Sequence, residues 1–197
     1  MTLSKPFAAV ALSALLIQSA TAQVLPCAPP LDAQLSDSDS ARAAGFVQSR
    51  TMGLAQAMTA PDADARATVS TIYAEGFAPA QSVADGTYRC RTIKLGGMSP
   101  LIVYENFNCA ISDGGTAIDK TTGSQRFSGR LSPSNGGFFY QGALHYEDEQ
   151  PIDYGADPER DQIGCLYEIA GGGRHLLLEL PSPQFESTHD LIELVPQ

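Results

Sequence analysis

Apolar positions recur with two different periods along this chain. Up to about Gly76 they return every third or fourth residue, and from about Asp85 onward every second one. The first spacing places side chains on one stripe of a helix, the second on one face of a strand. After the Pro-rich stretch Leu25 to Pro30, Ser38 can cap a helix running to about Met58, with Ala43, Val47, Leu54 and Met58 on one stripe. Thr59-Ala60-Pro61 breaks it, and Pro61 suits the first turn of a second helix. Ala65, Val69, Ile72 and Tyr73 form the second stripe, which Gly76 ends. The bland reading packs the two stripes on each other and on a sheet. The sharper one, a partner-binding pair, suits alanine-rich faces less well.

Beyond Asp85 the alternation predicts eight strands in meander order: 86–95, 101–111, 116–122, 125–131, 138–144, 162–169, 174–181 and 188–195. Turn residues punctuate them, notably Pro133 to Gly137 and Gly171-Gly172-Gly173, and no crossover helix intervenes. The fold expected is mainly β (α+β): an N-terminal helical hairpin, then an eight-stranded antiparallel meander closed as a barrel, with a β-sandwich as the alternative. Eight strands close around side chains or one small ligand. The organisation expected is 1–22 as a signal peptide, 23–80 as tail and helical hairpin, and 84–197 as the barrel, packed with the helices as one unit.

The first two strands form a hairpin. With Ser99-Pro100 at its tip, Cys90 faces Cys109, Lys94 faces Glu105, Thr92 faces Phe107 and Tyr88 faces Ile111. One register thus supplies a disulfide, an opposite-charge pair and an apolar face. Arg89, Arg91, Asn106 and Asn108 lie on the other face. Of the three connectivities open to four cysteines, this register favours Cys90–Cys109, which leaves Cys27–Cys165. Zinc is the rival use of four cysteines, but no C-x-x-C pair is present.

Disulfides imply an oxidising compartment, and the N-terminus agrees. Lys5 precedes the apolar run Phe7 to Ile17, and Ala20-Thr21-Ala22 is a small-x-small cleavage site, so the mature chain is expected to start at Gln23. Pro26 before Cys27 argues against a lipid anchor. That run is too short to span a bilayer, and no later stretch approaches about 18 apolar residues. Cleavage removes Lys5, moves the formal charge from −10 to −11 and leaves 175 of the 197 residues. So acidic a chain, without a Lys/Arg cluster, is a poor partner for nucleic acid or for anionic membrane surfaces.

Four separated stretches carry a family resemblance: Tyr88-Arg89-Cys90-Arg91-Thr92-Ile93-Lys94-Leu95-Gly96, Thr122-Gly123-Ser124-Gln125-Arg126, Tyr154 to Asp161, and Glu186-Ser187 with Asp190 to Leu194. In that order they resemble an uncharacterised family of exported bacterial proteins, domain-of-unknown-function family 4893, over about the whole mature chain. The resemblance implies bacterial origin and export and brings no activity with it. A looser, architectural likeness is to lipocalin-like carriers and to periplasmic inhibitors of secreted metalloproteases.

Candidate chemistry is sparse. Arg89/Arg91 and Arg126/Arg130 each share a strand face; turned inward they would line a cavity for an anionic ligand, turned outward they would offset an acidic surface. The apolar opposite face of the hairpin favours the outward reading. The loop 147–161 holds seven carboxylates against Arg160. Its spacing fits no calcium motif, and Tyr154 with Glu159-Arg160-Asp161 can latch the loop to the barrel. His145, His175 and His189 fall in no metal or catalytic motif, no nucleophile elbow exists, and His189 and Asp190 project to opposite sides of a strand. No catalytic residue, metal or cofactor is expected. The preferred reading is a periplasmic or secreted, non-catalytic barrel that binds a small anionic ligand through Arg89, Arg91, Arg126, Arg130 and Tyr154. A protein-interaction module, such as a protease inhibitor or envelope-assembly factor with an envelope-protein partner, is the alternative, and a cryptic hydrolase the third.

Overall fold

A computed structural model describes residues 27–147, 149–170 and 175–197. The expected signal peptide, its cleavage site and the Gly171–Gly173 turn lie outside the described residues. Three helices precede the strands: α1 (Asp37–Ala44), α2 (Phe46–Ala57) and α3 (Ala63–Glu75). The single first helix is corrected to two. Ser36, not Ser38, is the cap, its hydroxyl accepting from the Asp39 amide at 3.1 Å, and the helical run breaks at Gly45. The break rotates the second half, so Phe46, Ser49, Gly53 and Ala57 face inward, while Val47 and Met58 of the expected stripe are exposed. The second helix keeps its stripe, with Val69 and Ile72 buried and Gly76 (φ +76°) ending it, but Asp62 caps it and Pro61 stands just outside.

The strands are β1 (Phe77–Ala78), β2 (Gly86–Leu95), β3 (Leu101–Val103), β4 (Phe107–Ser112), β5 (Ala117–Lys120), β6 (Gln125–Ser134), β7 (Gly137–Tyr146), β8 (Asp161–Ile169), β9 (Leu176–Pro181) and β10 (His189–Pro196). Antiparallel pairing runs β8-β7-β6-β5-β4-β2-β10-β9, and β9 pairs back to β8, which closes an eight-stranded barrel. The short β1 and β3 are additions on β8 and β2.

The hairpin register is corrected. Cys90 lies opposite Phe107 and Tyr88 opposite Cys109, while Ile93 lies opposite Val103. Between those pairs, two residues on β2 (91 and 92) oppose three (104–106) on the returning chain. That is a β-bulge, and it splits the expected second strand into β3 and β4. Lys94 therefore does not meet Glu105. The disulfide forms nonetheless as a diagonal on the interior face, Cys90–Cys109 with Cα atoms 5.8 Å apart. Cys27–Cys165 forms as well, 5.5 Å between Cα atoms, on the outside of β8.

Strand alternation sorts the side chains cleanly. Tyr88, Cys90, Ile111, Ile118, Leu131, Tyr140, Leu166, Leu178 and Leu194 fill the barrel interior. Gly129 and Gly142 sit opposite each other there, and a Cβ on either would overlap the Tyr140 side chain, so the glycine pair makes room for that phenol ring. Outside, α2 and α3 cover Ile93, Leu95, Leu177 and Leu191, and Phe46 with Cys27 covers Phe139, Ile163 and Tyr167.

Candidate functional site

At one end of the barrel the apolar filling gives way to polar side chains. Lys94 near the end of β2, Lys120 ending β5, Gln125 opening β6, Gln162 on β8 and Asp190 on β10 line one small cleft of about 150 Å³ with Thr92 and Phe107. Lys94, Gln125, Leu144, Gln162 and Asp190 also line a smaller neighbouring recess, about 40 Å³, which reaches Arg160 and Phe185 at the rim. The antiparallel registers bring all these strand ends to the same mouth.

The two lysines differ in their partners. Lys94 Nζ meets Glu186 Oε2 at 2.5 Å and Gln125 Oε1 at 3.3 Å. Burial works against its charge, but the hydrogen bond it donates to Glu186 and the charges of Asp190 and Glu186 outweigh that and hold Lys94 above the usual lysine range. Lys120 Nζ donates to the Gln125 carbonyl at 2.6 Å and sits 4.3 Å from the centre of the Phe107 ring. It is 6 % exposed, and among the described residues no carboxylate lies within ion-pair distance of it. Burial, then the charges of Lys94 and Arg126, lower Lys120 to about 8. Burial likewise pushes Asp190 up to about 6, against a 2.5 Å hydrogen bond from Ser187 and the charge of Lys94. The mouth thus holds two cationic groups and an acid that is readily protonated.

The residues expected to bind ligand are placed elsewhere. Arg89 is exposed and Arg91 half-buried on the outside of β2, where Arg91 pairs with Glu193. Arg126 and Arg130 are outside β6; Arg126 Nε donates to the Gly123 carbonyl at 2.9 Å. The four arginines do not line the interior, because Tyr88, Cys90, Phe127 and Leu131 take the inward positions of those strands. Tyr154 is a latch: its hydroxyl donates to Asp39 of α1 and accepts from the Ser36 amide at 3.3 Å, while Asp161 accepts from the Gly155 amide at 2.7 Å. Arg160 pairs with Glu149 at 2.5 Å and with Asp157 at 3.3 Å. Arg130 and Tyr154 do share an open groove of about 730 Å³, but Asp32, Asp119 and Asp153 line it too and offset the arginine charge.

A second polar cluster has the residue types of a hydrolase and the surroundings of a scaffold. Ser49 Oγ lies 2.9 Å from His189 Nδ1, and His189 Nε2 lies 3.4 Å from Glu179 Oε1. Yet Ser49 Oγ is held by the Thr188 carbonyl and the Ser182 amide at 2.7 and 2.9 Å, and all three residues are buried between α2 and the barrel wall. The seryl oxygen is spent on backbone groups, so this cluster ties helix to sheet.

The signal that could have revealed the mouth is lysine usage. The chain has three lysines, and past Lys5 the remaining two, Lys94 and Lys120, enter the same cleft. The stretches 88–96, 122–126, 154–161 and 186–194 also each contribute a residue to the mouth or its rim.

No curated protein and no solved structure matches this chain. The looser likeness to lipocalin-like carriers and metalloprotease inhibitors gains no support beyond the shared eight-stranded architecture. The family of domains of unknown function DUF4893 matches residues 32–194, and the chain belongs to it.

Proposed function

We propose that this protein is an exported, non-catalytic carrier that binds a small carboxylate, or an anion of similar size, in the barrel mouth between Lys94 and Lys120. Lys120 carries the reading: a buried ammonium with no carboxylate partner among the described residues is costly for the fold, and a ligand anion would remove that cost. Lys94 has three donors, of which Glu186 and Gln125 occupy two. The Gln162 side chain offers a neutral polar group in the same cleft. A cleft of about 150 Å³ favours a ligand of few heavy atoms over a lipid or a drug-sized molecule. Export accords with two disulfides and with the signal-like segment 1–22.

Thermal unfolding with and without propionate tests the reading. Propionate at millimolar concentration is expected to raise Tm of the wild type and to leave Lys120→Met unchanged. An equal response of both proteins, or none in either, overturns it. The interaction-module reading has one observation in its favour, the exposed Met98, Tyr104 and Phe185 around the mouth.

A further inference from the structure

We infer that Lys120 captures small 2-oxo carboxylates covalently, as a reversible imine on its Nζ, with Lys94 seating the carboxylate. The inference rests on the mouth being the ligand site proposed above, and names the ligand class.

The geometry supplies each part. Lys120 is buried against the Phe107 ring and shares the cleft with a second cation, Lys94. Both features favour the neutral amine, the form that attacks a carbonyl. Lys94 is fixed by Glu186 and Gln125, which leaves one N–H for a ligand carboxylate. Asp190 lines the same cleft, and burial keeps its carboxyl protonated into mildly acidic conditions. The Lys120 lone pair forms the C–N bond to the carbonyl carbon while the C=O pair moves to oxygen, which takes one of the two protons of the attacking nitrogen. Asp190 then donates a proton to the resulting hydroxyl, which leaves as water. The C=N bond forms as the nitrogen gives up its proton to Asp190. One amine and one carbonyl thus give one imine and one water, with no oxidant or reductant consumed.

Cyanoborohydride trapping with pyruvate, read by intact mass and peptide mapping, tests this on the wild-type chain. One carboxyethyl group is expected, mapped to Lys120 and absent in Lys120→Arg. Lys94→Met is expected to lower trapping of both carbonyls, because Lys120 then holds its proton more tightly, but to lower pyruvate trapping about tenfold further than acetaldehyde trapping, the worth of one charge-assisted hydrogen bond. Label on the amino terminus alone, or equal label on Lys94 and Lys120, overturns the imine. If propionate still raises Tm in that case, the carboxylate site stands without covalent capture. If propionate also fails, both readings fall.

Discussion

Arg50 of α2 meets Glu179 on the outer face of β9, its Nε donating to Oε1 at 3.0 Å and its Nη2 to Oε2. Tyr73 of α3 donates to the same Oε1 at 2.6 Å, and the guanidinium lies over the Phe46 ring, 4.9 Å from its centre. Two helices are thus fastened to one fully buried carboxylate. Arg50→Met leaves that charge without its cation and is expected to cost about 3–5 kcal/mol by urea unfolding. The double change Arg50→Met with Glu179→Leu is expected to recover most of the loss. Equal stability of Arg50→Met and wild type would show that the pair does not hold the helices.

Acid reaches the same carboxylate. Burial alone would raise Glu179, but the neighbouring His189 and Arg50 outweigh it and pull the carboxyl down to about 2. Stability from this group is therefore present above pH 4.5 and lost as pH falls toward 2, on the order of 3 kcal/mol. Asp190 works in the opposite sense. Its folded value of about 6 lies above the ordinary 3.8, so the folded chain holds the proton more tightly and stability declines as pH rises between those values. Together they give greatest stability in the mildly acidic range. Asp190→Asn is expected to flatten the profile between pH 4 and 7, which thermal scans across pH would show.

Lys120→Met is expected to stabilise the protein. The unfolded chain holds the Lys120 proton up to pH 10.5 and the folded chain only to about 8, so stability rises with pH through that window and the full cost is present at neutrality. Removing the amine should return about 1–2 kcal/mol, allowing for water that reaches the mouth. Gain in stability with loss of propionate response is the signature of a residue kept for binding. A destabilised Lys120→Met would count against it.

Two glycines with similar backbone angles should respond differently to alanine. Gly97 (φ +84°) packs so that a Cβ would overlap the Glu186 carbonyl oxygen, whereas Gly114 (φ +70°) faces open space. Gly97→Ala is expected to cost about 2–3 kcal/mol and Gly114→Ala about 1 kcal/mol, the strain of a left-handed backbone alone. Equal costs would mean that the loop carrying Glu186 yields freely.

Replacing Cys90 and Cys109 together by alanine is expected to cost about 2–4 kcal/mol in urea unfolding, the usual worth of a disulfide closing such a loop. Non-reducing peptide maps should recover Cys90–Cys109 and Cys27–Cys165 and no other pairing.

Much of the barrel is legible from alternation alone, because a period of 2 fixes which residues share a face whatever the strand's partners. Tyr88, Cys90 and Ile111 read as interior and are interior. The hairpin register is not legible, since the bulge at 104–106 inserts a residue that no local pattern marks. The helix break at Gly45 is similar: one glycine inside a helical pattern is usually tolerated. The sequence pattern pointed to the arginines and not to the mouth for a physical reason. Arg89, Arg91, Arg126 and Arg130 are paired on strands and draw notice, whereas Lys94 lies on the apolar face with a surface partner apparently at hand in Glu105. Its actual partner, Glu186, is 92 residues away in sequence and is brought to it by the pairing of β10 with β2.

The bridge between Cys27 and Cys165 has a consequence for proteolysis. It spans 138 positions, so the acidic loop 147–160 falls inside the covalent ring it closes. A protease that cuts that loop releases no fragment: the β8–β10 piece stays tethered to the rest through one sulfur–sulfur bond. Nicked protein would run as one band without reductant and as two with it, and the barrel strands on either side of the cut would remain at high effective concentration for re-pairing.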